Sequence, residues 1–188
     1  MNEPAQPMSV NPKKFLVWLI NISITMMFAG WTSSYLVARS EGDSLGVSSL
    51  PVSFTISTVL IVLSSITMAL AVRAARKNNI SLVKIFLTST FILGLGFLYS
   101  QWKAFGEYAD MDILFRGSTA VQGLNYVMPM AHGAHIVMAL VILTILVVRA
   151  FRYKIHSRNM NAIEMGATFW HFLDALWLYL FLFLTFTL

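Results

Sequence analysis

The chain has 188 residues, of which 57% are hydrophobic and 11% are charged, with a formal net charge of +5 and a mean hydropathy of +0.72. Soluble domains carry about a quarter charged residues, so this composition predicts an integral membrane protein that forms one bundle. The absence of cysteine excludes disulfides, iron–sulfur clusters, thiolate zinc sites and cysteine nucleophiles. The positive charge does not indicate nucleic-acid binding, because the basic residues lie at the ends of apolar runs.

Five apolar runs follow a polar N-terminal tail, "MNEPAQPMSVNPKK", which contains no signal-peptide core. Each run is long enough to cross about 30 Å of hydrocarbon as a helix. The runs cover residues 15–37, 52–72, 82–103, 124–148 and 162–187. We therefore expect an all-α polytopic membrane protein with a single domain over residues 1–188, including the polar tail 1–14.

The distribution of Lys and Arg predicts the orientation of this topology. Ten of these residues fall on one side: Lys13, Lys14, Arg73, Arg76, Lys77, Lys84, Arg149, Arg152, Lys154 and Arg158. The other side has three, Arg39, Lys103 and Arg116, together with the acids Glu41, Asp43, Glu107, Asp110 and Asp112. The N-terminus is therefore predicted to be cytoplasmic and the C-terminus to lie outside.

Polar residues inside the fifth run follow one helix face. Glu164, His171 and Asp174 are separated by seven and three positions, so they fall within about 80° of the helix circumference. A charge at the centre of a membrane helix costs roughly 2.5–3.5 kcal/mol on insertion scales. This stripe is therefore expected to face protein or water rather than lipid.

The fourth run carries a similar stripe. Gln122, Asn125, His132 and His135 are separated by three, seven and three positions. Pro129 lies among them, lacks a backbone N–H and is expected to kink the helix. The simplest arrangement places the two stripes face to face, with histidine bonded to carboxylate or amide across the helix pair.

Several roles for this polar seam are compatible with the residues. The plainest is structural, because interhelical hydrogen bonds fix helix register and contribute about 0.6 kcal/mol each. A proton relay is a second, and heme ligation by His171 with His132 or His135 is a third. A zinc or iron site is a fourth, although no spacing is diagnostic. A proton-coupled transporter would be expected to show inverted repeats, which the sequence lacks. Catalytic triads and phosphate loops are also absent from the sequence.

Taken together, these segments resemble subunit III of the heme–copper oxygen reductases, which include the cytochrome c and quinol oxidases. The resemblance lies in "AHGAHIVMALVILTILVVRAFR", "EMGATFWHFLDALWLYLFLFL", "TFILGLGFLYSQ" and "FAGW". The matching positions are Phe28, Trp31, Thr90, Gly94, Phe97, Gln101, His132, Gly133, His135, Glu164, Gly166, Trp170, His171, Phe172, Asp174 and Trp177. The chain is similar to a short five-helix form that lacks the first two helices of longer members.

The sequence departs from the family pattern at some polar positions. The carboxylate that precedes "FAG" in the family corresponds to Ile24, and the acid and aromatic of "Q..EY" correspond to Ala104 and Phe105. The histidine-bearing end of the second helix reads "MALAVRA". Proton buffering by the helix 1 carboxylate is therefore not carried over.

The resemblance implies a non-catalytic subunit without a redox centre, in a bacterial inner membrane. Such a subunit packs on oxidase subunit I, with subunit II, small subunits and a respiratory supercomplex as further partners, and the partners hold heme and copper. It binds phospholipid and sustains proton uptake during oxygen reduction by a cytochrome c or quinol oxidase. Arg149 matches a family arginine that contacts lipid phosphate, although it also fits plain topology charge. The alternatives are a heme-binding membrane cytochrome and the homologous subunit of a nitric oxide reductase.

Overall fold

Helices account for nearly all of the part of the chain that the structure describes. This computed structural model describes residues 12–43, 50–111, 119–152 and 160–187. The helices are α1 (Pro12–Ser40), α2 (Val52–Arg76), α3 (Ile80–Asp110), α4 (Ala120–Phe151) and α5 (Asn161–Phe186). All five are long and apolar enough to cross a membrane, and the described ranges contain no strand. The predicted all-α class with five membrane helices is therefore confirmed.

The helices extend past the predicted apolar runs at one or both ends, because polar residues at the membrane surface continue them. Part of the sequence argument falls outside the described residues. Residues 1–11 of the predicted tail do so, as do four charged residues used for orientation: Asp112, Arg116, Lys154 and Arg158.

A tight turn joins α2 to α3. Asn78 has φ 55°, and its N–H donates to the Ala75 carbonyl while the N–H of Asn79 donates to the Ala74 carbonyl. These two bonds form a Schellman motif, which satisfies carbonyls that a helix end leaves unpaired. The Asn79 side chain then accepts from the Leu82 N–H and caps α3. The two helices consequently run antiparallel as a hairpin.

Contacts between helices leave α1 at the side of the bundle. α2 and α3 make the most extensive contact, and α3–α4, α4–α5 and α2–α5 complete the bundle. α1 packs on α4 and α5 and makes no close backbone approach to α2 in the described ranges. Openings therefore flank α1.

Large aromatic side chains fill the centre of the bundle. Trp170, Trp177, Phe97 and Phe28 are all at most 1% exposed. Gly94 on α3 is needed for this packing, because a Cβ there would lie 2.8 Å from the Trp170 ring and 2.9 Å from Leu140. Lipid is as apolar as these side chains, so dispersion contacts and hydrogen bonds hold the helices together.

Candidate functional site

The first opening is a groove of about 440 Å³ between α1, α2 and α5, which we call the polar groove. Its mouth carries Lys14, Arg73, Arg76 and Glu164, and its floor contains Thr168 and His171. Its walls are formed by apolar side chains, including Val17, Trp18, Ala69, Val72 and Ala167. Glu164 and His171 of the predicted α5 stripe therefore face an open groove with a charged mouth.

Glu164 links three helices at the mouth of the polar groove. The Lys14 ammonium donates to Glu164 Oε2 at 2.9 Å, and a guanidinium nitrogen of Arg76 lies 3.6 Å from Oε1. The carboxylate thus connects the start of α5 to the start of α1 and the end of α2. All three side chains are partly exposed, so solvent screens these ion pairs.

Deeper in the groove, His171 meets α2. Its Nδ1 atom lies 2.7 Å from Ser65 Oγ and 3.8 Å from Asp174 Oδ2. The first distance is a hydrogen bond, and the second is too long to be one. The Asp174 side chain is 5% exposed, and neither of its carboxyl oxygens has a hydrogen-bond partner among the described residues. Ser65, His171 and Asp174 form a cluster between α2 and α5, which we call the buried carboxyl cluster.

The stripe of α4 makes different contacts. The Asn125 amide accepts from the Tyr108 hydroxyl at 3.4 Å and donates to the Val121 carbonyl at 3.3 Å and to the Tyr35 hydroxyl at 3.5 Å. Gln122 is half-buried near the start of α4. Asn125 therefore connects α4 to α3 and α1 rather than to α5.

The two histidines of α4 do not bond to the carboxylates of α5. His135 Nδ1 lies 2.7 Å from the Ala131 carbonyl of its own helix. His132 is fully buried, and neither ring nitrogen has a hydrogen-bond partner in the described residues. Its ring lies 5.3 Å from that of Trp177 and 5.7 Å from that of Phe97, centroid to centroid. The two stripes meet through aromatic rings because the indole of Trp177 occupies the space between α4 and α5.

The second opening is a groove of about 360 Å³ between α1, α4 and α5, which we call the apolar groove. Lys13 and Arg149 are its charged lining residues. Its walls are Leu16, Val17, Ile20, Met138, Ile142, Ile145, Leu146, Ala162, Met165, Gly166 and Phe169. Gly166 permits close packing of α5 on α4, since a Cβ there would come 2.6 Å from Leu146 Cδ1. The apolar groove therefore combines apolar walls with two cationic side chains.

Motif residues of the sequence are spread over several helix contacts. Gln101 donates to Ser57 at 3.0 Å, and Thr90 bonds to Thr67 at 2.8 Å, both between α3 and α2. The indoles of Trp170 and Trp177 donate to Ser64 and Thr58, respectively, at 3.1 and 3.0 Å, which joins α5 to α2. Most of the motif therefore specifies how the helices pack. Four of its positions line a groove or lie in the cluster beside one: Glu164, Gly166, His171 and Asp174.

The sequence did not single out several residues of these sites. Lys13, Lys14 and Arg76 enter the sequence argument only as topology charges, and Ser65 does not enter it. The helix-end positions of the three cations give no signal of a partner, and neither does the small polar side chain of Ser65. Only the packing of α1 and of α2 against α5 identifies Lys14 and Arg76 as partners of Glu164.

The residues predicted as metal or heme ligands do not converge on one point. Among the residues that the structure describes, no group of three or more His, Asp or Glu side chains could hold a metal ion. His132 lies against the rings of Phe97 and Trp177, whereas His171 bonds to Ser65 on α2. This geometry gives no support to the heme-binding alternative.

Comparison with known proteins agrees with the arrangement of helices and motifs. The sequence profile of the family described as "Cytochrome c oxidase subunit III" matches residues 14–187. Cytochrome c oxidase subunit 3 of Alkalihalophilus pseudofirmus is 32% identical over 174 residues, which cover 89% of this chain and 84% of that protein. The subunit of the same name from Bacillus subtilis is 26% identical, covering 95% and 89% of the two chains.

A relative with a different electron donor in its name is also similar. Cytochrome bo(3) ubiquinol oxidase subunit 3 of Buchnera aphidicola subsp. Acyrthosiphon pisum is 27% identical over 179 residues, covering 93% of this chain and 86% of that protein. The family profile covers nearly the whole chain, and the similarity extends through all five helices. This multi-pass membrane chain belongs to the cytochrome c oxidase subunit III family of the heme–copper oxidases.

Proposed function

We propose that this chain is the non-catalytic subunit III of an aerobic respiratory heme–copper terminal oxidase in a bacterial inner membrane. It packs on the catalytic subunit I, with subunit II and small subunits in the same complex. Heme and copper reside in those partners, and this chain supports sustained proton uptake and turnover. Family membership and the names of the similar oxidase subunits support this proposal.

The proposed orientation places the N-terminus in the cytoplasm. Lys13, Lys14, Arg76 and Arg149 meet at one end of the bundle, which we call the basic end. Acidic side chains bind at the other end, where Glu107 accepts from the Ser53 hydroxyl and Asp43 accepts from the Ala120 N–H. Cytoplasmic segments carry an excess of Lys and Arg, so the basic end is the cytoplasmic one in this proposal.

The apolar groove is the observation that carries the lipid-binding part of the proposal. Arg149 is exposed at the end of α4, and Lys13 lies across the groove from it at the start of α1. A guanidinium can bind a phosphate through two parallel hydrogen bonds, and its stem can lie along the apolar wall. A phospholipid in this groove would place its phosphate between the two cations and an acyl chain between α1, α4 and α5. Such a lipid would add contacts along the side on which α1 packs on α4 and α5.

The test compares Arg149→Gln with Arg152→Gln in the purified oxidase complex. Arg152 carries the same charge on the next turn of the chain and does not line the apolar groove. We expect the Arg149 variant to retain less phospholipid after detergent exchange, measured as phosphate per complex. Its initial rate of oxygen reduction should be unchanged, while the number of turnovers before inactivation should fall several-fold.

Equal phospholipid content and equal inactivation in the two variants would overturn the lipid assignment. An initial rate that falls in proportion to the loss of assembled complex would instead indicate a purely structural role for Arg149. Co-purification tests the subunit assignment separately. The tagged chain should bring down heme-bearing subunits, and the chain alone should show no heme absorbance.

A further inference from the structure

The polar groove leads from the basic end to the centre of the bundle. Glu164, Thr168 and His171 line it at successive turns of α5, and Asp174 follows one turn later. At 1.5 Å per residue, the ten residues from Glu164 to Asp174 span about 15 Å along the helix axis. This length is about half of the hydrocarbon thickness of a bilayer, roughly 30 Å. Asp174 therefore lies near mid-depth, directly beyond the floor of a groove that opens at the surface.

Asp174 lacks the partners that a buried carboxylate normally has. Its side chain is 5% exposed, and neither oxygen accepts a hydrogen bond in the described residues. A buried ionised carboxylate without donors is unfavourable, whereas a protonated carboxyl is neutral and can itself donate a hydrogen bond. A bound proton therefore removes the cost of a buried charge at Asp174, a cost that an ordinary surface carboxylate does not have.

His171 and Ser65 connect this carboxyl to the groove. The His171 side chain is 38% exposed and lines the groove, while its Nδ1 atom is directed toward Ser65 and Asp174. Imidazole can take a proton at one ring nitrogen and release another from the opposite nitrogen. The Ser65 hydroxyl lies 2.7 Å from the same Nδ1 atom that is 3.8 Å from Asp174 Oδ2, so it lies beside the path between the two side chains.

The charged groups around the groove are arranged at its mouth. α1 contributes Lys14, α2 contributes Arg73 and Arg76, and α5 contributes Glu164. On α4, the fully buried His132 contacts the ring of Trp177. Lys14 and Arg76 are paired with Glu164, which precedes Asp174 by ten residues along α5. The closest ionisable partner of Asp174 is therefore His171.

We propose that Asp174 is a proton-binding site that exchanges protons with water at the basic end through His171 and Ser65. In each uptake step a proton binds at His171 Nε2, the Nδ1 proton passes to the Asp174 carboxylate directly or through the Ser65 hydroxyl, and the neutral ring remains. Release follows the reverse path. The inference rests on the proposed function for its role, which is a local store of protons on the side from which an oxidase takes them up.

Infrared difference spectroscopy of the intact oxidase complex tests the site directly. Acidification should produce the C=O stretching band of a protonated carboxyl, and D₂O should shift that band. The band should be absent in Asp174→Asn and present in Glu107→Gln, a control carboxylate that is bonded to Ser53 at the opposite end. If Asp174→Asn does not assemble, Asp174→Glu keeps a carboxyl and should move the band without removing it.

Two further substitutions test the route by which protons reach Asp174. His171→Leu removes the proton carrier, and Ala69→Phe fills the polar groove from α2. Both should slow the deuterium shift of the Asp174 band several-fold, while Val62→Phe on the exposed surface of the same helix should not. A carboxyl band that survives in Asp174→Asn would overturn the site. A deuterium shift that is equally fast in all access variants would overturn the route.

These measurements are separate from the tests of the proposed function. The infrared band reports on one carboxyl and does not depend on lipid content or on the number of turnovers. Absence of the carboxyl band from the wild-type complex, together with the expected loss of phospholipid in Arg149→Gln, would refute proton binding and leave the subunit assignment intact. If the Asp174 band is present but the phospholipid content of the complex does not change in Arg149→Gln, only the lipid assignment would be refuted.

Discussion

The two grooves lie on either side of α1 at the basic end, yet their linings differ. The apolar groove is closed by aliphatic and aromatic walls beneath Lys13 and Arg149. The polar groove has an ion-paired mouth and a floor that leads through His171 to Asp174. Both are bounded by α5, which presents Gly166 and Phe169 to one and Thr168 and His171 to the other.

This difference shows how a single membrane helix can border two grooves of different chemistry. Residues two or three positions apart on a helix point in different directions, so α5 can combine a lipid-compatible face with a water-compatible face. Cations at the membrane surface suit a lipid phosphate and also keep an aqueous mouth hydrated. The residues below the mouth are what distinguish the two proposals, an acyl chain in the apolar groove and a proton beyond the polar groove.

Gly94→Ala should have the largest effect, because it moves the helix that both grooves share. A Cβ at Gly94 would lie 2.8 Å from the Trp170 ring, and Trp170 directly precedes His171. We expect a loss of about 1–3 kcal/mol in the stability of the assembled chain, as for other overpacked cores. Thermal inactivation of the complex measures it. Gly133→Ala is the matched control, since a Cβ there meets nothing within 4 Å. Equal behaviour of the two variants would contradict the packing argument.

Ser65→Ala should affect the polar groove alone. It removes the hydroxyl bonded to His171 Nδ1, at a cost of about 1 kcal/mol for one hydrogen bond. Unfolding in mixed detergent measures the loss, and the phospholipid content of the apolar groove should not change. Ser34→Ala provides the control, because its exposed hydroxyl bonds only to the Gly30 carbonyl of its own helix in the described contacts. A loss of phospholipid in Ser65→Ala would show that the two grooves are not independent.

Glu164→Gln should have a smaller effect at the mouth of the polar groove. Partly exposed ion pairs contribute roughly 0.2–1 kcal/mol, so a double-mutant cycle with Lys14→Gln should give a coupling in that range. The coupling should weaken as salt is added, because counterions screen exposed charges. A coupling that is insensitive to salt would mean that the ion pair is more shielded than its geometry indicates.

His132→Leu should have the smallest effect, since His132 lies outside both grooves. Its ring nitrogens have no hydrogen-bond partners in the described residues, so the substitution removes a buried polar group without breaking a bond. We expect no loss of stability in thermal unfolding and unchanged turnover. A marked loss of either would contradict the assignment of His132 as a buried packing group that makes no hydrogen bond.

Several features could be predicted from the sequence. The length and number of apolar runs predict five membrane helices, because only a helix satisfies its backbone in lipid without a partner strand. The "WHFLDALW" and "AHGAH" segments predict family membership. The spacing of Glu164, His171 and Asp174 predicts a stripe that avoids lipid, and these residues line the polar groove or lie just beyond its floor.

The partners of these polar residues were decided only by the tertiary structure. Helical spacing fixes the direction of a side chain relative to its own axis, but not which neighbouring helix stands in that direction. The two stripes were expected to hydrogen-bond to each other, whereas Trp177 fills the space between α4 and α5 and His171 bonds to Ser65 on α2. The sequence by itself therefore determined the helices, their family and the polar face of α5. The packing of large indole rings determined what that face meets.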